Sequence, residues 1–313
     1  MSMSGSTVAV RTALALYPGR YRRERGDELA DVFADTTAEA GRAAKVRELL
    51  DLGAYGLRMR TGLTSTSRGG RLAALAAPLV VGAAAGLKGT QALLEHLADG
   101  VNGVPDPAWG LRYFLPYWGL LLGALLSAGA ALLGRWTAAK LLAGLAALAA
   151  VADLVVAVTA PEVVQPLWVF LEAFQWDGPF VLWALVLLAA PSDVLPVPAW
   201  RERALMAAAA VLVPVVAFTD DVYSSRHQLD SPWRALMVVV PLLMALSAVR
   251  GWYLVAVPGL AVLPWALSVN LHALWQQQGG AWKLLPMAAL TVAAAVALAV
   301  VGRRRGSRGR RLA

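Results

Sequence analysis

An ionisable side chain inside an apolar run is costly to keep in hydrocarbon, which makes it the first place to look for chemistry. Asp153 stands within the run 141–159, and Lys88 follows the run 72–87 inside a longer stretch, 72–94. Counted at helical rise from the basic end of each run, Asp153 lies about 18 Å and Lys88 about 24 Å along its helix. Such similar depths allow a Lys88–Asp153 pair. The pair, or Asp153 alone, would line a polar site or a proton path; equally, it would be an ion pair that ties two helices together.

Other chemistry finds little footing. Asp220, Asp221 and Asp230, with His227 nearby, are potential ligands for a divalent cation, but their spacing matches no known ligand loop. A solvated loop accounts for them. The remaining histidines are His96 and His272, and no HExxH, GxSxG or P-loop pattern occurs. Hydrolytic, kinase and nucleotide-driven mechanisms therefore have no support, and no enzyme activity, metal or cofactor is expected. With no Cys there is no disulfide, thiol nucleophile or thiolate metal site.

The elements that would hold Asp153 and Lys88 follow from composition. The chain is 58% hydrophobic and only 15% charged, with the charges gathered in the first 70 residues, the loops and the last eleven. This predicts an all-α polytopic membrane protein. About eight spans are read, near 72–94, 113–133, 141–159, 176–190, 204–219, 235–249, 252–269 and 284–301. A cytoplasmic helical prefix, 1–70, precedes them and a basic tail, 303–313, follows. The first apolar run begins about 70 residues in, so no signal peptide is read. Residues 163–174 read as an aromatic interfacial segment, broken from the fourth span at Asp177-Gly178-Pro179. Gly82/Gly86 and Gly119/Gly123 are small-residue steps that let helices approach closely, within one chain or between copies. Pro214, Pro241, Pro258 and Pro264 concentrate kinks in spans five to seven, as transport pathways often do, although packing alone also tolerates them.

Charge orients the spans. With the prefix inside and eight spans alternating, the inner side outside the prefix gathers Arg71, Arg135, Lys140, Arg201, Arg203, Arg250 and six tail arginines against two acids. The outer side holds Lys88, Arg112, Arg226, Arg234 and Lys283 against nine acids. The positive-inside rule then puts both termini in the cytoplasm, at the cell membrane. The net charge of +8 is thus accounted for by topology, and no nucleic-acid binding is expected. The tail RRRGSRGRRLA would meet anionic lipid headgroups or act as a stop-transfer signal.

The prefix reads as three short amphipathic helices near 7–16, 22–40 and 43–59, with Pro18-Gly19 stopping the first and Gly41 closing the second. Leu29, Val32 and Phe33 form one apolar stripe and Leu49 and Leu50 part of another; these five are candidate partner-docking residues. So small a core is marginal alone. The alternatives are a solvated bundle or a module that finishes packing on a partner.

Two segments, LYPGRYRRERGDEL (16–29) and ELLDLGAYGLRMR (48–60), resemble the N-terminal prefix of a group of actinobacterial membrane proteins, a HAAS-type or permease-prefix domain. The resemblance covers about residues 12–60. It implies a cytoplasmic regulatory bundle whose partner is a PadR-type transcription regulator or, next to a permease, an ABC-type ATPase. The leading expectation is therefore a membrane-embedded regulatory or sensory protein. The alternative is a permease or accessory subunit with a substrate path through spans three to seven.

Overall fold

Pro18 and two glycines punctuate the first helices. In a computed structural model of the chain, residues 3–99, 111–159, 166–195, 197–227 and 231–276 are described, with side chains described over 8–49, 51–97, 114–159, 166–195, 197–218 and 236–270. The chain divides into two compact units, Met1–Arg71 and Leu72–Ala313. All regular structure among the described residues is helical.

In the first unit, α1 (Met3–Ala15), α2 (Gly19–Thr37) and α3 (Arg42–Thr61) follow one another closely. Pro18 stands just before α2, where its missing N–H costs nothing. Gly41 does not close α2, as its sequence position suggested. It is the extended N-cap of α3, while α2 already ends at Thr37. Gly62 closes α3 with φ 68°, and the Leu63 N–H reaches back to the Arg58 carbonyl at 2.8 Å, a Schellman ending.

Val10, Leu14 and Tyr17 form the buried core of this unit, and Tyr21, Leu29, Ala30, Phe33, Leu49, Leu52 and Met59 pack against it. Tyr17 stacks on Tyr21 with ring centroids 5.7 Å apart. A Cβ on Gly56 would fall 2.5 Å from the Tyr17 ring, so α3 passes that ring only because position 56 has no side chain. The two segments that carry the family resemblance thus meet at Tyr17 and Gly56. Of the docking candidates, Leu29, Phe33 and Leu49 are partly buried against the unit's own core, and Val32 is 56% exposed. The side chain of Leu50 lies outside those described. Ser67 Oγ donates to the Thr64 carbonyl at 2.7 Å and accepts the Gly70 N–H at 3.0 Å, an N-cap for the next helix.

The helices that follow are α4 (Arg68–Asp99), α5 (Leu111–Leu132), α6 (Trp136–Thr159), α7 (Pro166–Ala189), α8 (Trp200–His227), α9 (Ser231–Leu246) and α10 (Tyr253–Gln276). Five of them, α4 to α7 and α10, contain stretches long and apolar enough to cross a membrane. The chain is accordingly a helical membrane protein. α8 begins with Arg201, Glu202 and Arg203, and the apolar stretch through α9, Leu236–Arg250, is short. The expected eighth span, 284–301, and the basic tail lie outside the described residues.

One expected break is absent. α7 runs through Asp177-Gly178-Pro179 without interruption, joining the supposed interfacial segment and fourth span into one helix of 24 residues. Pro179 is fully buried, and a Cβ on Gly178 would sit 2.7 Å from the Phe174 ring. A turn signal in water is a packing solution here, because a membrane-length helix keeps its other backbone bonds satisfied.

Close approach is built from small residues. A Cβ on Gly82 or Gly86 would fall 2.2 or 2.1 Å from the carbonyl oxygens of Met206 and Ala210, so α4 lies backbone to backbone on α8. On α5, Gly123 meets Ala146 and Gly119 meets Ala149 of α6. Both small-residue steps are therefore used within the chain. Trp183 Nε1 donates to the Ala261 carbonyl at 2.7 Å and ties α7 to α10.

Candidate functional site

Four helices each bring one residue per turn to a shared seam. On α4 the stripe runs Ala77, Val81, Ala84, Lys88; on α5, Ser127, Ala124, Leu120, Tyr117; on α6, Ala143, Ala146, Ala150, Asp153; on α7, Leu187, Ala184, Phe180, Asp177. Every step is three or four residues, which keeps each set on one helix face. Towards one end the seam is apolar. A small cleft, partly open, is lined there by Val81, Ala84, Ala124, Ala146, Phe180 and Ala184, among others. At the other end each stripe finishes on a polar group.

Those four groups meet. Asp177 is 5% exposed, with its carboxyl in electrostatic reach of Lys88 and Asp153. Lys88 is 4% exposed. Its Nζ donates to Gln91 Oε1 at 3.3 Å and stands 4.8 Å from the centroid of the Tyr117 ring, a cation–π contact. Tyr117 Oη donates to Glu95 Oε2 at 2.8 Å. Glu95 lies two turns beyond Lys88 on α4, so the line Asp153–Asp177–Lys88–Tyr117–Glu95 crosses from α6 to the far end of α4.

Sequence depth put Lys88 and Asp153 near one level, and the structure places both in this one site. They do not touch directly. No ion pair within 4.0 Å joins Lys88 to Asp153, and Asp177 is within electrostatic reach of both. Asp177 was missed because Asp-Gly-Pro reads as a turn. Its signal was the spacing to Phe180, Ala184 and Leu187, which continues an apolar helix face.

A second buried amine has a plainer part. Lys140 donates to the Ala190 carbonyl and, at 2.9 Å, to Ser192 Oγ. It thereby caps the C-terminus of α7, where the helix dipole favours a cation. Ser127 Oγ donates to the Ala139 carbonyl at 2.8 Å and joins α5 to α6 at the same end.

No group of three or more potential metal ligands occurs among the described residues. The side chains of Asp220, Asp221, His227 and Asp230 lie outside those described. A comparison of the chain with protein-family models, curated proteins and solved structures finds no match.

Proposed function

We propose that the chain is a membrane permease, or the membrane subunit of one, whose path follows the seam between α4, α5, α6 and α7. The observation that carries this reading is the placement of Lys88, Asp153 and Asp177 at the head of an apolar cleft. Burying Lys88 and Asp177, with Asp153 half-buried beside them, in a membrane bundle costs far more than filling the same space with Leu and Ala. The seam below them is made almost wholly of such residues, so packing alone gives no reason for the charges. The path proposed from sequence, through spans three to seven, moves to the first four long apolar helices. In this reading eight spans cross the cell membrane with both termini cytoplasmic.

The chain has no Cys, which allows a direct test. Single cysteines at Ala84, Ala146 and Ala184 are treated with a small, membrane-impermeant thiol reagent on the full-length protein in lipid. A path predicts labelling at these positions and a changed rate on Asp177→Asn. A seam that stays unlabelled at all three sites sinks the reading. Reporter fusions at residues 104, 201 and 313 test the orientation, and an external signal at 313 overturns it.

A second reading rests on a different observation. The two segments resembling a HAAS-type prefix form one core through Tyr17 and Gly56, which supports a regulatory unit that docks a PadR-type regulator or an ABC-type ATPase. Docking then falls to outward residues such as Val32 rather than to Leu29, Phe33 or Leu49. Full-length protein would retain a cytoplasmic partner that is released by Val32→Asp; retention unchanged by that substitution removes Val32 from the surface.

A further inference from the structure

We propose that the turns α5–α6, α7–α8 and α9–α10 form one surface that binds the phosphate groups of anionic phospholipids, each turn setting an arginine beside an exposed apolar side chain. This binding is independent of the seam between α4 and α7.

The three turns lie at one end of the second unit. Val197, between α7 and α8, sits 3.2 Å from where a Cβ on Gly134 would stand, and Lys140, near the start of α6, holds Ala190 and Ser192. Those contacts join the α7–α8 turn to the α5–α6 turn. Two helices later the chain is back at that end. Trp183 and Ala261, hydrogen-bonded to each other, lie each about two turns from Ala189, where α7 ends, and from Tyr253, where α10 begins.

One pairing recurs in all three. In the first turn Arg135 follows Leu133, in the second Arg201 follows Trp200, and in the third Arg250 precedes Trp252 and Leu254. All four apolar side chains are exposed, Trp200 at 74% and Leu254 at 94%, so the chain itself does not cover them. The Arg201 guanidinium stands 5.8 Å from the centroid of the Trp200 ring, and that of Arg250 stands 5.7 Å from the Trp252 ring. A cation–π contact thus keeps each charge next to its apolar neighbour. Among the described residues no carboxylate lies within 4.0 Å of Arg135, Arg201 or Arg250, although Asp193 and Glu202 stand at the α7–α8 junction. Arg250 Nε is buried without a hydrogen-bond partner.

An exposed Trp or Leu at the end of a membrane helix belongs at the boundary between acyl chains and headgroups, with its charged neighbour among the phosphates. A guanidinium suits phosphate because it offers two parallel N–H donors. Arg135, Arg201, Arg203 and Arg250 outnumber Asp193 and Glu202 across these turns, so the ligand is anionic. An acidic protein would meet the same charge. Three pairs on three separate turns, each with its own apolar anchor, match instead the bilayer that the helices already cross.

The test is tryptophan quenching in the full-length protein, reconstituted in vesicles of equal parts phosphatidylglycerol and phosphatidylcholine, with one lipid or the other carrying brominated chains. Difference spectra against Trp200→Phe and Trp252→Phe isolate the two rings. Both rings should be quenched, and the anionic lipid should be enriched about fivefold beside each, as one arginine near a membrane surface gives. Arg201→Gln should remove the enrichment at Trp200 and leave it at Trp252; Arg250→Gln should do the reverse. Circular dichroism of each variant checks that the helices are intact. In the wild-type protein the enrichment should also fall as salt is raised, which needs no variant of the arginines. Both leaflets carry both lipids, so the direction of insertion does not enter. Unquenched rings, equal quenching by the two lipids, an enrichment indifferent to salt, or one that survives both Gln substitutions overturns the proposal.

Discussion

The two units bury polar chemistry in opposite ways. In the first, the core is a few apolar side chains around the Tyr17 ring, and every charged group stays outside; its ion pairs, Arg20–Glu24 and Arg25–Glu28, are exposed and worth little. In the second, whole faces of Ala, Leu and Val turn outward, while Lys88 and Asp177 are inside. In water, burial of apolar surface is the main stabilising term, so charge is kept out. Between helices in lipid that term is absent, packing of small residues takes over, and the interior is free to hold charge if the charges cancel.

The largest effect expected is on the small-residue contact of the second unit. Gly86→Leu must push α4 off the Ala210 backbone and should cost about 3 kcal/mol or more, read as a lower melting temperature in detergent. Gly144→Leu is the control, because nothing lies within 4 Å of a Cβ there. Equal losses in the two variants would contradict the packing.

Next comes charge cancellation. Lys88→Met strands the buried Asp177 and should destabilise by roughly 3 kcal/mol. Lys88→Met/Asp177→Asn removes both buried charges, so the double variant should be more stable than the single one. Strict additivity of the two melting shifts would show that the groups do not act together.

In the first unit the same kind of contrast falls between neighbours in sequence. Phe33 packs on the core and Val32 faces out. Phe33→Asp should remove roughly the 3–5 kcal/mol that so small a core can supply, whereas Val32→Asp should stay within about 0.5 kcal/mol. Limited proteolysis of the full-length protein distinguishes them: cleavage within residues 1–71 should rise sharply for Phe33→Asp alone. Gly56→Ala, which meets the Tyr17 ring, should fall between them at about 1–3 kcal/mol.

What was legible in the sequence follows the same division. Long apolar runs announce membrane helices because length and composition are enough, so α4, α5, α6 and α10 lie close to where they were read. Lys88 and Asp153 stood out because charge is rare in such runs. Asp177 did not, because Asp-Gly-Pro is a turn signal whose meaning depends on solvent, and the surrounding Trp and Phe suggested an interface. In the prefix, periodicity found the faces of α2 and α3 but not their partners. Leu29, Phe33 and Leu49 pack partly on the first unit's core, and nothing local reveals that Tyr17, outside any helix, gathers them. Gly41 shows the limit at element ends, where one glycine serves equally to close a helix or to open the next.

The smallest effect concerns Tyr17, and it tests whether the prefix core is as dry as its packing implies. Burial pushes the Tyr17 phenol from 10.0 up to about 12, with the nearby Tyr21 and Tyr55 adding to the shift and Arg58 opposing it. A pKa raised on folding means that the folded state keeps its proton while the unfolded state has lost it. The stability tied to this group is therefore complete below about pH 10 and declines as pH rises from about 10 to about 12. Ultraviolet titration of tyrosinate in the full-length protein, with Tyr17→Phe subtracted, isolates the group from the other six tyrosines. The difference should titrate near pH 12, or rise abruptly earlier if the prefix unfolds first. A smooth titration near pH 10 in a folded prefix would mean that water reaches the ring, and Gly56 would then lose its reason for being glycine.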